Sequence, residues 1–239
     1  MVKPGSIQQP AIRMSTRQQP LVLHAHSTGP NPFKIAIALE ALGVEYIVKF
    51  WEFGDDPQNG VKGEAFLKIN ENGRVPALED PRTGVVSWES GACMNYIRRV
   101  YDKDGKIGPV GTTEQDRVDF EKWEYFLLTT LGPMTGQTNW YRHYNSVKNP
   151  DALDRYSAQT IRCYDVLEAQ LSKSGGASIL PGRITAVDYH FEPWVRQHGY
   201  AGLSLEGHPN VGSWLKSMGA RAEVRAAYQK IMKSEPPKY

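Results

Sequence analysis

Apolar positions along the chain fall into two regimes. Up to about residue 104, short apolar runs alternate with helix-spaced ones; beyond residue 112 only helical spacing remains. Leu21-Val22-Leu23 reads as a strand that feeds the segment Thr28-Gly29-Pro30-Asn31-Pro32-Phe33-Lys34. Ile35, Leu39 and Leu42 then recur at helical spacing until Gly43, which predicts a helix over 33–42. Residues 45–50 form a β-branched and aromatic run, and 55–63 are rich in Gly, Asp, Asn and Pro, so a strand and then a loop are expected. Two short strands, 75–79 and 84–88, flank the turn Asp80-Pro81-Arg82-Thr83-Gly84, and a helix is predicted from 90 to about 101. This β-α-β-(α)-β-β-α order fits a small mixed sheet with helices on its faces.

A Gly/Pro-bearing linker at 102–112 separates this part from predicted helices over 113–128, 151–171, 185–197, 211–218 and 222–232. Thr113-Glu114-Gln115-Asp116 has the form of a capping box. Ile184-Thr185-Ala186-Val187-Asp188-Tyr189 is the sharpest such signal: Thr185 and Asp188 can cap each other's backbone while Ile184 and Tyr189 staple across them. The fold class expected is α/β plus all-α, with domains at 21–104 and 112–239. Residues 1–20 hold no acid and three prolines and are expected to be a disordered tail.

Composition narrows the classes of function. A chain of 239 residues can bury a full core, and a net charge of +2 makes no case for nucleic acid or a membrane surface. No apolar run approaches the roughly 18 residues of a membrane span. Cys93 and Cys163, far apart, make no disulfide framework, so a reducing, cytoplasmic setting is expected. Neither cysteine lies at the first strand–helix junction and there is no Cys-x-x-Cys; both read as small buried hydrophobes. His24 and His26 have no Cys or acid beside them to complete a metal site, so no metal is expected.

Three places can carry chemistry. A strand running straight into a helix leaves unpaired N–H groups and the positive end of a dipole, which attract an anion. Asn31 there admits two readings: an N-cap followed by Pro32 at the first helical position, or an amide that donates to a sulfur anion at the helix start. Thr28, or else Ser27, offers a hydroxyl nearby. Lowering a thiol's pKa by about two units takes roughly 2.7 kcal/mol, within reach of a helix terminus plus one hydrogen bond to the charge, with no general base. Val75-Pro76 is an edge-strand feature whose Val75 backbone, across a cis bond, could pair with a peptide-like ligand. In Trp88-Glu89-Ser90-Gly91-Ala92, Ser90 reads as an N-cap, and Ser90 with Glu89 also suits the carboxylate and ammonium of an amino-acid head group. Lys62 and Arg74 are basic candidates for a second carboxylate.

Asn72-Gly73-Arg74-Val75-Pro76-Ala77-Leu78-Glu79-Asp80, the Glu89-Ser90 segment and Thr185-Ala186-Val187-Asp188-Tyr189, in this order, resemble the glutathione transferases, over roughly 21–232. Gly29-Pro30-Asn31-Pro32-Phe33-Lys34 and Gly132-Pro133-Met134-Thr135-Gly136-Gln137 resemble the fungal class related to the yeast nitrogen-regulator prion protein and the bacterial nu class. The resemblance implies a thioredoxin-like domain followed by an all-helical one, a homodimer, and glutathione as co-substrate. Its sulfur would lie at Asn31, with Val75 pairing by backbone beside Pro76 and the γ-glutamyl group at Glu89 and Ser90. Bacterial relatives carry a threonine where Gly29 stands and a glycine where Pro32 stands. The prion relative's Asn/Gln-rich arm has no counterpart in this sequence. A second substrate would meet Trp123, Phe126, Met134, Gln137, Trp140 and Tyr141, a mixture suited to a bulky, partly polar electrophile. The implied activity is transfer of the glutathione thiolate to such a small molecule, in detoxification or in building a secondary metabolite. The alternatives are a glutathione-dependent disulfide reductase or peroxidase, and a non-catalytic glutathione-binding regulator.

Overall fold

The computed structural model describes residues 19–237; the expected tail lies almost wholly outside them. Strand β1 (Leu21–Ala25), helix α1 (Pro30–Leu42) and strand β2 (Tyr46–Phe50) form the opening β-α-β unit, with β1 and β2 parallel and Leu21 opposite Tyr46. A one-turn helix α2 (Glu64–Leu67) precedes the antiparallel hairpin of β3 (Ala77–Asp80) and β4 (Val85–Trp88), and α3 (Ser90–Tyr101) closes this half. The sheet order is β2-β1-β3-β4, with Leu23 opposite Leu78 where β1 meets β3. This is the small mixed sheet expected from the alternating pattern, in the thioredoxin-like arrangement that the resemblance implies.

The second half is helical. Helix α4 (Glu114–Phe126) runs through a π-helical turn (Leu127–Leu131) into α5 (Gly132–Asn139) and a second π-turn (Trp140–Tyr144). A continuous α-ladder would require an N–H at Pro133, which proline lacks; the widened turn before it lets the helix carry on. Helices α6 (Pro150–Ser174), α7 (Ala186–Val195), α8 (Pro209–Gly219) and α9 (Ala222–Met232) follow. Both capping boxes form, Thr113 with Asp116 and Thr185 with Asp188. None of the described helices is long and apolar enough to cross a membrane.

Helix α1 joins the halves. The spacing of Ile35, Leu39 and Leu42 predicts one apolar face, yet Phe33 through Leu39 are all buried, Lys34 included. The sheet and α3 cover one side of α1, while α7 and α9 cover the other. Two expected caps are corrected. Helix α1 starts at Pro30 with Gly29 as its cap residue, so Asn31 is the second helical position and caps nothing. Pro30 suits the first helical position, where its fixed φ and missing N–H cost nothing. Helix α3 starts at Ser90, which puts Glu89 at the cap position with φ 67° and ψ 120°. At the other end of α1, Gly43 adopts φ 66° and its N–H meets the carbonyl of Glu40 at 3.1 Å.

Candidate functional site

Two of the four N–H groups that a helix start leaves unpaired are missing in α1, because positions 30 and 32 are prolines. Only the backbone groups of Gly29 and Asn31 remain for an anion, so a side-chain donor at this corner carries extra weight. The Asn31 side chain is aimed by a residue 163 positions away: the indole Nε1 of Trp194 in α7 donates to Asn31 Oδ1 at 2.9 Å. An indole can only donate, so the amide oxygen faces Trp194 and the amide NH2 is turned to the remaining side. Trp194 lies against α5 at Gly132 and Gly136, and the lack of a Cβ matters most at Gly132. A Cβ at Gly132 would stand 3.3 Å from the indole and one at Gly136 3.5 Å from it.

Asn31 opens onto a cleft of about 580 Å³ between the two halves. From the sheet side it is lined by Asn31, Lys34, Arg74, Glu89 and Ser90, and from the helical side by Leu127, Leu128, Pro133, Gln137, Trp140 and Trp194. That volume is in the range of small-molecule sites. Glu89 is held at a backbone conformation that costs a side-chain-bearing residue about 1–3 kcal/mol, and it stands beside the start of α3. The Val75–Pro76 bond is cis, and neither backbone polar group of Val75 has a hydrogen-bond partner among the described residues. The Val75 side chain lies close to the start of α1, 3.9 Å from where a Cβ on Gly29 would be.

Other expected site residues fall elsewhere. Thr28 is exposed and off the cleft wall; its backbone N–H and hydroxyl both meet His26 Nδ1, at 3.2 and 3.1 Å. Ser27 is exposed as well. The Lys62 ammonium donates to the carbonyl of Asn72 at 2.7 Å and so braces the turn before Arg74 instead of lining the cleft. Pro76 is buried ahead of β3. Trp123 is a core residue, its ring against Phe126 at 5.5 Å and Phe191 at 5.9 Å, and Phe126 packs into the same core. Tyr141 stacks on Tyr156 at 5.6 Å, facing α6, and Met134 is half-buried off the cleft. Of the helical-side candidates, Gln137 and Trp140 reach the cleft. The reason is rotational: the π-turn at 127–131 shifts the helical register of α5, and 133, 136, 137 and 140 share the cleft face.

Besides Leu127 and Leu128, two cleft residues with chemistry to offer escape the sequence reading, Lys34 and Trp194. Lys34 is 1% exposed, and its Nζ donates to Ser90 Oγ at 3.2 Å. Burial lowers its amine to about 7, against the opposing pull of the Glu89 carboxylate. The sequence signal for Lys34 was a charge inside the apolar run from Phe33 to Leu39; Trp194 had none. Both cysteines are buried, and burial pushes the Cys93 thiol up to about 12, so Cys93 offers no thiolate at neutral pH. His24 Nδ1 accepts from the indole of Trp51 at 2.9 Å, so Nε2 carries the proton toward Glu79 Oε1, 2.6 Å away. No group of three or more possible metal ligands occurs among the described residues. A larger cavity of about 1040 Å³ lies in the helical half beneath Arg196 and Leu215. The Arg196 guanidinium there is already bonded to Glu192 Oε1 and to the carbonyls of Leu215 and Pro237.

The N-terminal domain signature of the glutathione S-transferases matches residues 19–99. The glutathione S-transferase-like protein OpS6 of Beauveria bassiana is 31% identical over 216 residues, spanning 87% of this chain and 94% of the relative. The chain belongs to the glutathione S-transferase family. Among solved transferases, URE2P6 of Phanerochaete chrysosporium, in complex with oxidized glutathione, is 32% identical. It superimposes with a TM-score of 0.81 over 89% of this chain and 96% of its own. Ure2p in complex with glutathione is 28% identical, with a TM-score of 0.80 over 88% of this chain and 99% of its own. Its sequence and fold are thus those of the fungal Ure2-like members of this family, and the cleft falls between the two halves of that fold.

Proposed function

We propose that the cleft binds glutathione with its sulfur at the start of α1 and presents the thiolate to an electrophilic carbon of a small molecule. The observation that carries this is the Asn31 amide, released from capping and oriented by Trp194 so that its NH2 is the available donor. A hydrogen bond to a charged acceptor contributes about 1.5–3 kcal/mol and the helix terminus about 0.3–1 more, together close to the roughly 2.7 kcal/mol that lowers a thiol by two units. The thiol proton passes to solvent; a carbon–sulfur bond forms as the leaving group departs with its electron pair. Glu89 and Ser90 take the γ-glutamyl ammonium and carboxylate, the free backbone of Val75 pairs with the peptide, and Arg74 receives the far carboxylate. Gln137 and Trp140 face the electrophile. The family expectation of a homodimer accords with the exposed Ile47, Phe50 and Phe53 on and beside the edge strand β2.

A disulfide-reductase reading has its own support, because a structural relative was solved with oxidized glutathione. In that reaction the thiolate attacks a disulfide sulfur and releases a thiolate; with Cys93 buried, a second glutathione must resolve the mixed disulfide. Assaying 1-chloro-2,4-dinitrobenzene against hydroxyethyl disulfide separates the two. Turnover of the disulfide alone removes the carbon-transfer reading. No turnover of either, with measurable glutathione binding, leaves a binding protein.

Glu89→Gly tests the γ-glutamyl assignment through two opposite effects. Removing the Cβ relieves the strain at φ 67° and raises stability by about 1 kcal/mol, while loss of the carboxylate weakens glutathione binding about tenfold or more. Denaturant unfolding and calorimetry report both. An unaltered glutathione Kd removes Glu89 from the site.

A further inference from the structure

The proposed glutathione contacts leave one charged group of the cleft without a task, the lysine buried behind Ser90. Lys34 Nζ donates to Ser90 Oγ at 3.2 Å, on the wall where the γ-glutamyl carboxylate is placed. We infer that Lys34 is a positioning residue that orients the Ser90 hydroxyl toward the ligand carboxylate and takes up a proton as glutathione binds. The inference rests on the glutathione reading of the cleft.

The reasoning concerns the direction of one hydroxyl. An ammonium can only donate, so a charged Lys34 occupies a lone pair of Ser90 Oγ and leaves the serine proton to point at the ligand. A neutral Lys34 has a lone pair of its own, to which the serine proton can turn away from the ligand. In the free protein burial leaves the amine divided between the two forms near neutral pH. An arriving carboxylate brings a negative charge next to the buried site and favours the ammonium.

The surrounding charges do not supply this proton instead. Glu89 stands at the α3 junction and Arg74 on the cleft wall. From α7, His190 faces Lys34, with Nε2 3.3 Å from Glu124 Oε1 of α4; Arg98 of α3 lies 3.6 Å from that carboxylate. Burial lowers His190 further below its ordinary range, so it is neutral at and above pH 7. Toward α9, α1 presents Phe33 to Tyr228 and, at its far end, Glu40 to Lys230. On β1 the titratable side chain is His24, tied to Glu79 and Trp51.

S-methylglutathione is the probe, because it has no thiol proton to release. If only the protonated lysine orients Ser90, its Kd rises up to about eightfold between pH 6.5 and pH 8, the fall in the competent fraction of a group titrating near 7. Titration calorimetry at pH 7.5 in buffers of different ionization enthalpy shows net proton uptake. Lys34→Met, similar in volume and uncharged, loses both the pH slope and the uptake; the ligand's own amine titrates alike in both proteins. Ser90→Ala keeps the lysine, binds more weakly and shows a smaller slope, which guards against a Lys34→Met protein that fails to fold. A slope that persists in Lys34→Met or stays at full size in Ser90→Ala, or wild-type binding without proton uptake, overturns the role of Lys34. Absence of binding at every pH overturns the glutathione reading beneath it.

Discussion

Asn31→Ala raises the pKa of bound glutathione's thiol by about one to two units and lowers kcat/KM about ten- to hundredfold at pH 6.5, while glutathione affinity changes little. The size follows from what the helix start lacks. With prolines at 30 and 32, the backbone offers the sulfur the N–H groups of Gly29 and Asn31 alone, and the Asn31 side chain adds the strongest remaining donor. Ultraviolet titration of the thiolate in the complex, beside steady-state rates, measures both effects. Trp194→Phe serves as a companion: it keeps an aromatic ring but releases Asn31 Oδ1, and a loss of about fivefold in kcat is expected as the amide becomes free to rotate. An unchanged thiol pKa in Asn31→Ala would mean the sulfur is held by other donors.

Asp188→Ala destabilises the protein by about 3–5 kcal/mol, a fall in Tm on the order of 10 °C. The carboxylate is fully buried and accepts from the backbone N–H of Ile179 at 2.9 Å and of Thr185 at 2.9 Å. It also accepts from Trp214 Nε1 at 3.0 Å and from the Thr185 hydroxyl at 3.3 Å. Alanine leaves these donors buried without acceptors, in the middle of the helical core. The exposed counterpart supplies the control: Asp116→Ala removes a cap whose donors turn to water, and costs about 1 kcal/mol. Denaturant melts of the two variants should therefore differ severalfold. A cost below about 1 kcal/mol at Asp188 would show that the box merely decorates the start of α7.

The contrast between the two boxes shows where local pattern ends and tertiary context begins. Thr113-Glu114-Gln115-Asp116 and Ile184-Thr185-Ala186-Val187-Asp188-Tyr189 both declare helix starts, because capping depends on residues three apart in one turn. That the second is also a buried anchor for Ile179 and Trp214 depends on chain segments packed from elsewhere. The same holds at the cleft. Alternation of strands and helices, Gly43 as a stop and the hairpin turn were legible because their causes are local. The identity of Asn31 as a residue of interest was legible too, though its two roles were not separable.

By itself, then, the sequence determined most of the strands and helices and their order, though not α5, and it singled out the strand–helix corner that carries Asn31. Backbone propensity, apolar period and turn chemistry act over a few residues, and the chain states them openly. Tertiary structure alone decided that Asn31 is turned outward by Trp194, that Lys34 is buried behind Ser90, and that Trp140 and Gln137 face the cleft while Trp123, Phe126 and Tyr141 face the packed interior or α6. Those outcomes depend on how α1 is enclosed from both sides and on the rotation that the π-turn imposes on α5. Such rotations have no signature in helical spacing, since every residue of an apolar stripe looks alike until its neighbours are in place.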